Sequence, residues 1–181
     1  MKYLLTGGGT GGHVYPALAI ADEIRRRQPD AEFLYVGLRD KLEARVVPGR
    51  GYPIQFVRSR PRPRSASILA LTLFGLSLML GILKGMGILL RFRPRVIIGT
   101  GGYVSAPISF AHGLLSKIGL CRARVFLYEP NAYPGMLNQA VGRYAHRIGL
   151  AFEQAGRWFD MKRGAIVGYP VRRELLEIDR Q

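Results

Sequence analysis

The 181-residue chain has a single cysteine, Cys121, so it cannot close an internal disulfide, and this usage fits a reducing compartment. Acidic residues are scarce as well: 12 Asp and Glu face 27 Lys and Arg, leaving a formal net charge of +15. A deficit that deep points to an anionic partner, whether nucleic acid, an acidic membrane leaflet or a phosphorylated substrate, and charge alone does not choose among them. No GxxxxGK[ST] sequence occurs, which leaves P-loop nucleotide hydrolysis unsupported, and no His/Cys/Asp cluster has metal-ligand spacing. A secretory leader is not expected either. The apolar stretch from Lys2 to Thr6 runs straight into glycines and is too short for a leader's hydrophobic region, so a cytoplasmic location is expected.

What is present is a rhythm of short apolar runs and longer helical patterns. Strands are predicted at Tyr3 to Thr6, Glu32 to Val36, Ile54 to Arg58, Arg95 to Gly99, Arg124 to Tyr128, Arg147 to Leu150 and Ala165 to Val167. Helices are predicted at His13 to Gln28, Lys41 to Val47, Ser65 to Arg91, Val104 to Lys117 and Met136 to Tyr144. Such alternation predicts one α/β domain, a Rossmann-like doubly wound parallel sheet with helices on both faces. Its ligands belong beyond the carboxyl ends of the strands, where the strand order reverses.

Two strand-glycine-helix units carry the chemistry. The first, Gly7-Gly-Gly-Thr-Gly-Gly-His13, lacks side chains where backbone N–H groups and a helix N-terminus can approach phosphate oxygens. It also reads as GxGxxG, which raises a dinucleotide-binding oxidoreductase alternative, but the second strand ends in Val36-Gly-Leu-Arg39 rather than in the acid that holds a ribose. His13 at the helix start is suited to accept a proton from a hydroxyl or to contact a phosphate; the plainer alternative is a helix cap. The second unit, Gly99-Thr-Gly-Gly-Tyr-Val-Ser105, repeats the arrangement, so Gly101, Gly102 and Tyr103 are expected to close one cleft with the first loop and grip a pyrophosphate without a metal. A third cluster, Tyr128-Glu-Pro-Asn131 with Asn138, places a carboxylate and two amides at another strand end. Such groups suit a sugar or its acetamido group.

One segment departs from the α/β rhythm. After the exposed Arg60-Pro-Arg-Pro-Arg64 stretch, Ser65 to Leu83 contains no charge at all. Its length approaches the roughly 20 residues that cross a bilayer, yet it lies within the alternation, and crossing would strand the later β-segments on the other side. Three readings stand: an interfacial helix, an ordinary buried helix and a transmembrane span. The first is preferred, with Arg62 and Arg64 at anionic headgroups and Leu73, Leu76 and Leu80 in the apolar layer.

Taken together, Gly8 to His13 followed by Pro16, Asp40-Lys-Leu-Glu-Ala44 with Val47-Pro48, Gly101 to Ser105, Glu129 with Asn131, Asn138, and Gly168-Tyr-Pro-Val-Arg172 resemble the MurG family of bacterial transferases, glycosyltransferase family 28. The resemblance runs from about Lys2 to Glu174 and covers only that family's N-terminal domain in the two-domain GT-B arrangement. Residues 1–174 would form the acceptor and membrane-binding domain and 175–181 the start of the linker, the donor-binding domain being absent. The resemblance implies metal-independent, inverting transfer of N-acetylglucosamine from UDP-N-acetylglucosamine to a polyprenyl-pyrophosphate-linked sugar in peptidoglycan synthesis. His13 and Glu129 would be catalytic. Thr10, Gly11, Gly12, Asn131 and Arg172 would touch the donor, while Tyr103, Glu129 and Asn138 line the cleft. Implied partners are both substrates, an anionic membrane surface at the cytoplasmic face and a donor-binding protein or domain; no cofactor, metal or nucleic acid is expected. The chain departs from the family pattern at Tyr128 and Pro130, where the family has His and Gln, and at Tyr169, where it has Asn. A different class of function is a non-catalytic membrane module that binds the lipid pyrophosphate and recruits a transferase.

Overall fold

The computed structural model describes residues 1–63 and 67–170. Among them, β1 (Lys2–Gly7), β2 (Glu32–Gly37), β3 (Ile54–Phe56), β4 (Val96–Gly101), β5 (Arg124–Glu129), β6 (Arg147–Leu150) and β7 (Gly164–Ile166) form one sheet in the order β3-β2-β1-β4-β5-β6-β7. Every pairing is parallel. The order reverses between β1 and β4, whose carboxyl ends carry the two glycine loops.

Alternation along the strands explains why helices cover both faces. Leu4, Leu34, Val36 and Ile97 point to one side, into a core with Ile88 and Leu89 of α3 (Ile68–Phe92) and Ile108, Ala111 and Leu115 of α4 (Ala106–Lys117). Their neighbours Tyr3, Leu5, Phe33, Tyr35 and Ile98 point to the other, against Val14, Ala17, Leu18 and Ala21 of α1 (Gly11–Arg27) and Val47 of α2 (Glu43–Gly49). A smaller core joins β5 and β6 to Val141 of α5 (Met136–Gly142). A central parallel strand buried on both faces needs an unbroken apolar run, and Tyr-Leu-Leu in β1 supplies it.

The expected elements are present with shifted ends. β3 stops at Phe56 rather than Arg58, because the chain then leaves the sheet and passes under α3, where the Arg58 carbonyl fills the space a side chain at Gly81 would need. The helix expected from Val104 begins as a 3-10 turn at Tyr103–Ser105, and a second 3-10 turn at Glu153–Trp158 was not foreseen. α2 starts at Glu43, two residues after the expected Lys41. Arg64, Arg172 and the linker at 175–181 lie outside the described residues.

The ordinary buried reading of the apolar helix does not hold for its first half. No residue from Ser67 to Leu80 is buried; the first buried position is Gly81. There α3 meets the start of α4: a Cβ at Gly81 would approach Pro107, and one at Gly85 would lie 3.2 Å from the Pro107 carbonyl and 3.3 Å from Ala111 Cβ. Ile68 therefore stands about 20 Å beyond this crossing, at 1.5 Å rise per residue. In a parallel α/β sheet the helix N-termini lie toward the carboxyl ends of the strands, so α3 projects on the ligand side.

Candidate functional site

The first glycine loop is held from below by a carboxylate. Glu43, fully buried, accepts the N–H of Gly9 through Oε2 and that of Leu38 through Oε1, each at 3.1 Å. A Cβ at Gly8 would sit 2.6 Å from this carboxylate, so glycine is required there. The hydroxyl of Tyr35 donates to the Gly7 carbonyl at 2.6 Å. Burial, reinforced by the charge of Glu43, drives that hydroxyl's pKa upward, which keeps it a donor.

The second loop closes on the first. Gly102 has φ +75°, and a Cβ there would lie 2.6 Å from the Gly8 carbonyl and 3.2 Å from Cδ2 of His13. Tyr103 lies beside Gly9, its ring 3.6 Å from where a Cβ would stand. Thr100 links the loops through two bonds: its hydroxyl donates to the His13 carbonyl, and its carbonyl accepts from His13 Nδ1, both at 2.7 Å. Because a carbonyl only accepts, Nδ1 carries the proton, and in the neutral ring the lone pair then lies on Nε2. Nε2 has no partner among the described residues.

His13 is not the helix cap. Thr10 is, its carbonyl taking the N–H groups of His13 and Val14 at 3.2 Å each, while its side chain makes no capping bond. The N–H groups of Gly11 and Gly12 are without a hydrogen bond among the described residues, and no acid lies in the first turn. Free amides at a positive helix end form an anion site. Tyr169, from the Gly168 to Arg172 motif, reaches this turn and donates to the Gly12 carbonyl at 3.3 Å.

Glu129 anchors two amides. Its carboxylate is fully buried; Oε1 accepts the backbone and side-chain N–H groups of Asn131 at 2.8 and 2.9 Å, and Oε2 accepts the Asn138 amide at 2.8 Å. Both oxygens are thus engaged by the amides of Asn131 and Asn138. This geometry leaves Asn131 exposed and sets the Asn138 amide 2.7 Å from where a Cβ on Gly101 would be, which only glycine accommodates.

Of the sequence candidates, Thr10, Gly11, Gly12, His13, Gly101, Gly102 and Tyr103 converge where the two loops meet, with Asn131 and Asn138 arriving from β5 and α5. Arg62 is exposed on the loop before α3, away from this cluster in the chain. Leu73, Leu76 and Leu80 are 40, 47 and 37% exposed and face a groove beside β3 rather than the glycine loops. Sequence reasoning assigned no role to Thr100, Glu43 or Tyr35. Thr100 was legible within Gly99-Thr-Gly-Gly and Glu43 within Asp40-Lys-Leu-Glu-Ala44, whereas Tyr35 acts from a neighbouring strand and leaves no local signal. Among the described residues no group of three His, Cys, Asp or Glu could hold a metal.

A doubly wound parallel sheet with two abutting glycine loops and an imidazole at its switch point defines a Rossmann-like domain. The chain belongs to the glycosyltransferase family 28 N-terminal domain family, whose model matches residues 3–150. It is 37% identical over 179 residues to a UDP-N-acetylglucosamine–N-acetylmuramyl-(pentapeptide) pyrophosphoryl-undecaprenol N-acetylglucosamine transferase of Alkaliphilus oremlandii, a match covering 98% of this chain and 47% of the relative. The transferase of the same name from Halothermothrix orenii is 40% identical over 186 residues, covering 100% and 47%. The crystal structure of Acinetobacter baumannii MurG superposes with a TM-score of 0.72 at 22% identity, over 94% of this chain and 46% of that one, and supports the fold. The chain thus spans about half the length of the curated relatives it matches.

Proposed function

We propose that this chain is the acceptor-side half of a transferase that moves N-acetylglucosamine from UDP-N-acetylglucosamine to a polyprenyl-pyrophosphate-linked sugar, working with a donor-binding domain or protein. The observation that carries the reading is His13, its Nδ1 proton fixed on the Thr100 carbonyl and its Nε2 free at the junction of two glycine loops. In the reaction, Nε2 takes the proton of the acceptor hydroxyl while that oxygen bonds to the anomeric carbon and the bond from that carbon to the UDP oxygen breaks. The electron pair leaves with UDP, whose charge is met by the free N–H groups of Gly11 and Gly12. Thr10, Gly101, Gly102, Tyr103, Asn131 and Arg172 complete the substrate contacts, with Asn131 and Asn138 oriented by Glu129. No cofactor or metal enters this scheme.

The same reading puts the protein on the cytoplasmic face of the membrane. The outward side of α3, with Ile68, Met79 and Leu83 exposed by 83, 51 and 58%, enters the apolar layer, and Arg62 and Arg64 meet anionic headgroups. An exposed apolar face of this extent also favours a second reading, a non-catalytic module that holds the lipid pyrophosphate for a partner enzyme.

Sugar transfer with a donor-half protein separates the two. His13→Ala is expected to lower the rate by about 10²–10⁴-fold at unchanged membrane binding. Glu129→Gln is expected to lower it while preserving the wild-type pH profile. Equal rates for wild type and His13→Ala would remove the catalytic assignment and leave the recruiting module.

A further inference from the structure

At its 3.6-residue period α3 presents three faces. Gly81 and Gly85 pack on α4; Ile68, Met79 and Leu83 look outward; Leu73, Leu76, Ser77, Leu80 and Lys84 form one wall of a groove of about 950 Å³. The opposite wall is the chain leaving β2 and β3, with Leu38, Arg39, Asp40, Phe56 and Val57 to Arg60. Its polar share is cationic. Arg39, Arg58, Arg60 and Lys84 surround it, and none has an ion pair among the described residues; the one carboxylate, Asp40, lies 3.7 Å from Lys41. Arg39 is held across the Phe56 ring at 5.3 Å.

The groove is tied to the proposed active site through its own residues. Ser59 donates to the Tyr103 carbonyl at 2.8 Å, fixing the groove to the second glycine loop. Leu38 shares the Glu43 carboxylate with Gly9 of the first. The groove thus shares hydrogen-bonded anchors with both loops, and the apolar stripe of α3 leads away toward the exposed end of the helix.

We infer that this groove holds the lipid carrier of the acceptor: the pyrophosphate between the four cations and the first isoprene units along Leu73, Leu76 and Leu80, so that the attached sugar extends to His13. The inference rests on the transferase reading above. Charge complementarity selects this occupant over a bilayer phospholipid. Four cations without an ion pair among the described residues are offset more fully by a linked pyrophosphate of roughly two charges than by a phosphodiester headgroup of about one. A single chain along a leucine stripe also needs a groove, whereas a bilayer surface needs only the outward face.

The test measures calorimetric binding of geranylgeranyl pyrophosphate, below its micelle concentration, to the full chain, with inorganic pyrophosphate and phosphatidylglycerol vesicles as separate arms. Ser77→Trp fills the groove without changing charge; Arg39→Ala with Lys84→Ala removes charge without filling it. Both are expected to weaken geranylgeranyl pyrophosphate at least about tenfold, a loss of roughly 1.4 kcal/mol, with inorganic pyrophosphate binding more weakly than the lipid in the wild type. Ser77→Trp is expected to leave vesicle binding intact, and circular dichroism confirms that each variant is folded. Unchanged lipid binding in both variants, equal binding of inorganic pyrophosphate, or loss of lipid binding in His13→Ala alone would overturn the groove. Transfer is read separately. Wild type inactive with every donor half but binding the lipid in the groove sinks the transferase reading, whereas His13-dependent transfer that ignores Ser77→Trp sinks the groove and leaves the transferase.

Discussion

The imidazole of His13 depends on one backbone carbonyl for its orientation, and that carbonyl is placed by glycines that cannot be replaced. Alanine at position 102 would meet the Gly8 carbonyl and adopt φ +75° with ψ 155°, a backbone state nearly confined to glycine that alone costs about 1–3 kcal/mol. Gly102→Ala is therefore expected to lower the melting temperature and displace His13, read as slower transfer with a smaller change in donor affinity. A variant as stable and as active as wild type would contradict the abutting loops. His112 gives a pH-dependent counterpart. It is buried, its Nε2–H donates to the Ala123 carbonyl at 3.0 Å, and its Nδ1 has no partner among the described residues. Burial holds its pKa below the usual 6.5, with the nearby His146 adding to the effect and the Ala123 bond opposing it. The unfolded chain then binds the proton more readily, so this contribution to stability is complete above about pH 6.5 and is lost as pH falls toward the lowered value. Urea midpoints from pH 8 to pH 5 are expected to fall more steeply in wild type than in His112→Gln, and parallel curves would remove the role. Glu129 shows what residue-level reading of the sequence does not reach. Its neighbourhood with Asn131 and Asn138 was legible, but whether a carboxylate faces substrate or holds two amides depends on burial that only the assembled sheet sets.

Among the elements, α3 departs most from an ordinary Rossmann helix. An uncharged stretch between Arg64 and Lys84 was plain in the sequence, and three fates for it stood there, with the interfacial helix preferred over a buried helix and a transmembrane span. Contacts decide one of them: the glycines at 81 and 85 admit α4, and no described residue of the helix before Gly81 is buried. Replacing Ile68, Met79 and Leu83 with serine removes outward apolar surface without touching the groove. Full burial of such a side chain contributes about 1.5–3 kcal/mol, so partial insertion of three supports a drop of about a hundredfold in partitioning to anionic vesicles. Sedimentation with liposomes measures it, and unchanged partitioning would contradict membrane insertion of this face. Strands were the most readable elements, since a buried parallel strand must be apolar throughout; helix starts were less so. The Val104 helix opens as a 3-10 turn because the positive φ of Gly101 and Gly102 turns the chain sharply before it.

For the molecule as a whole, a doubly wound parallel sheet and the placement of both glycine loops at strand ends followed from the alternation of apolar runs and glycines, whereas the strand order came only with the assembled sheet. The groove between α3 and β3 did not follow from that alternation either. It exists because β3 ends early and the chain from Val57 to Arg60 crosses beneath α3, a path no local pattern encodes. The domain gathers an imidazole, unbonded helix-start amides and an apolar helix, and it spans about half the length of the relatives it matches; in the proposed transfer the donor nucleotide takes its second face from a further domain or protein. The most direct measurement is transfer of labelled N-acetylglucosamine from UDP-N-acetylglucosamine to a short-chain lipid-linked acceptor, with the purified chain alone and then titrated with a donor-half protein. Transfer is expected only in the presence of both halves, saturating with the second protein and abolished by His13→Ala. Lipid binding without transfer at any ratio, across donor halves that are themselves competent to bind UDP-N-acetylglucosamine, would contradict it.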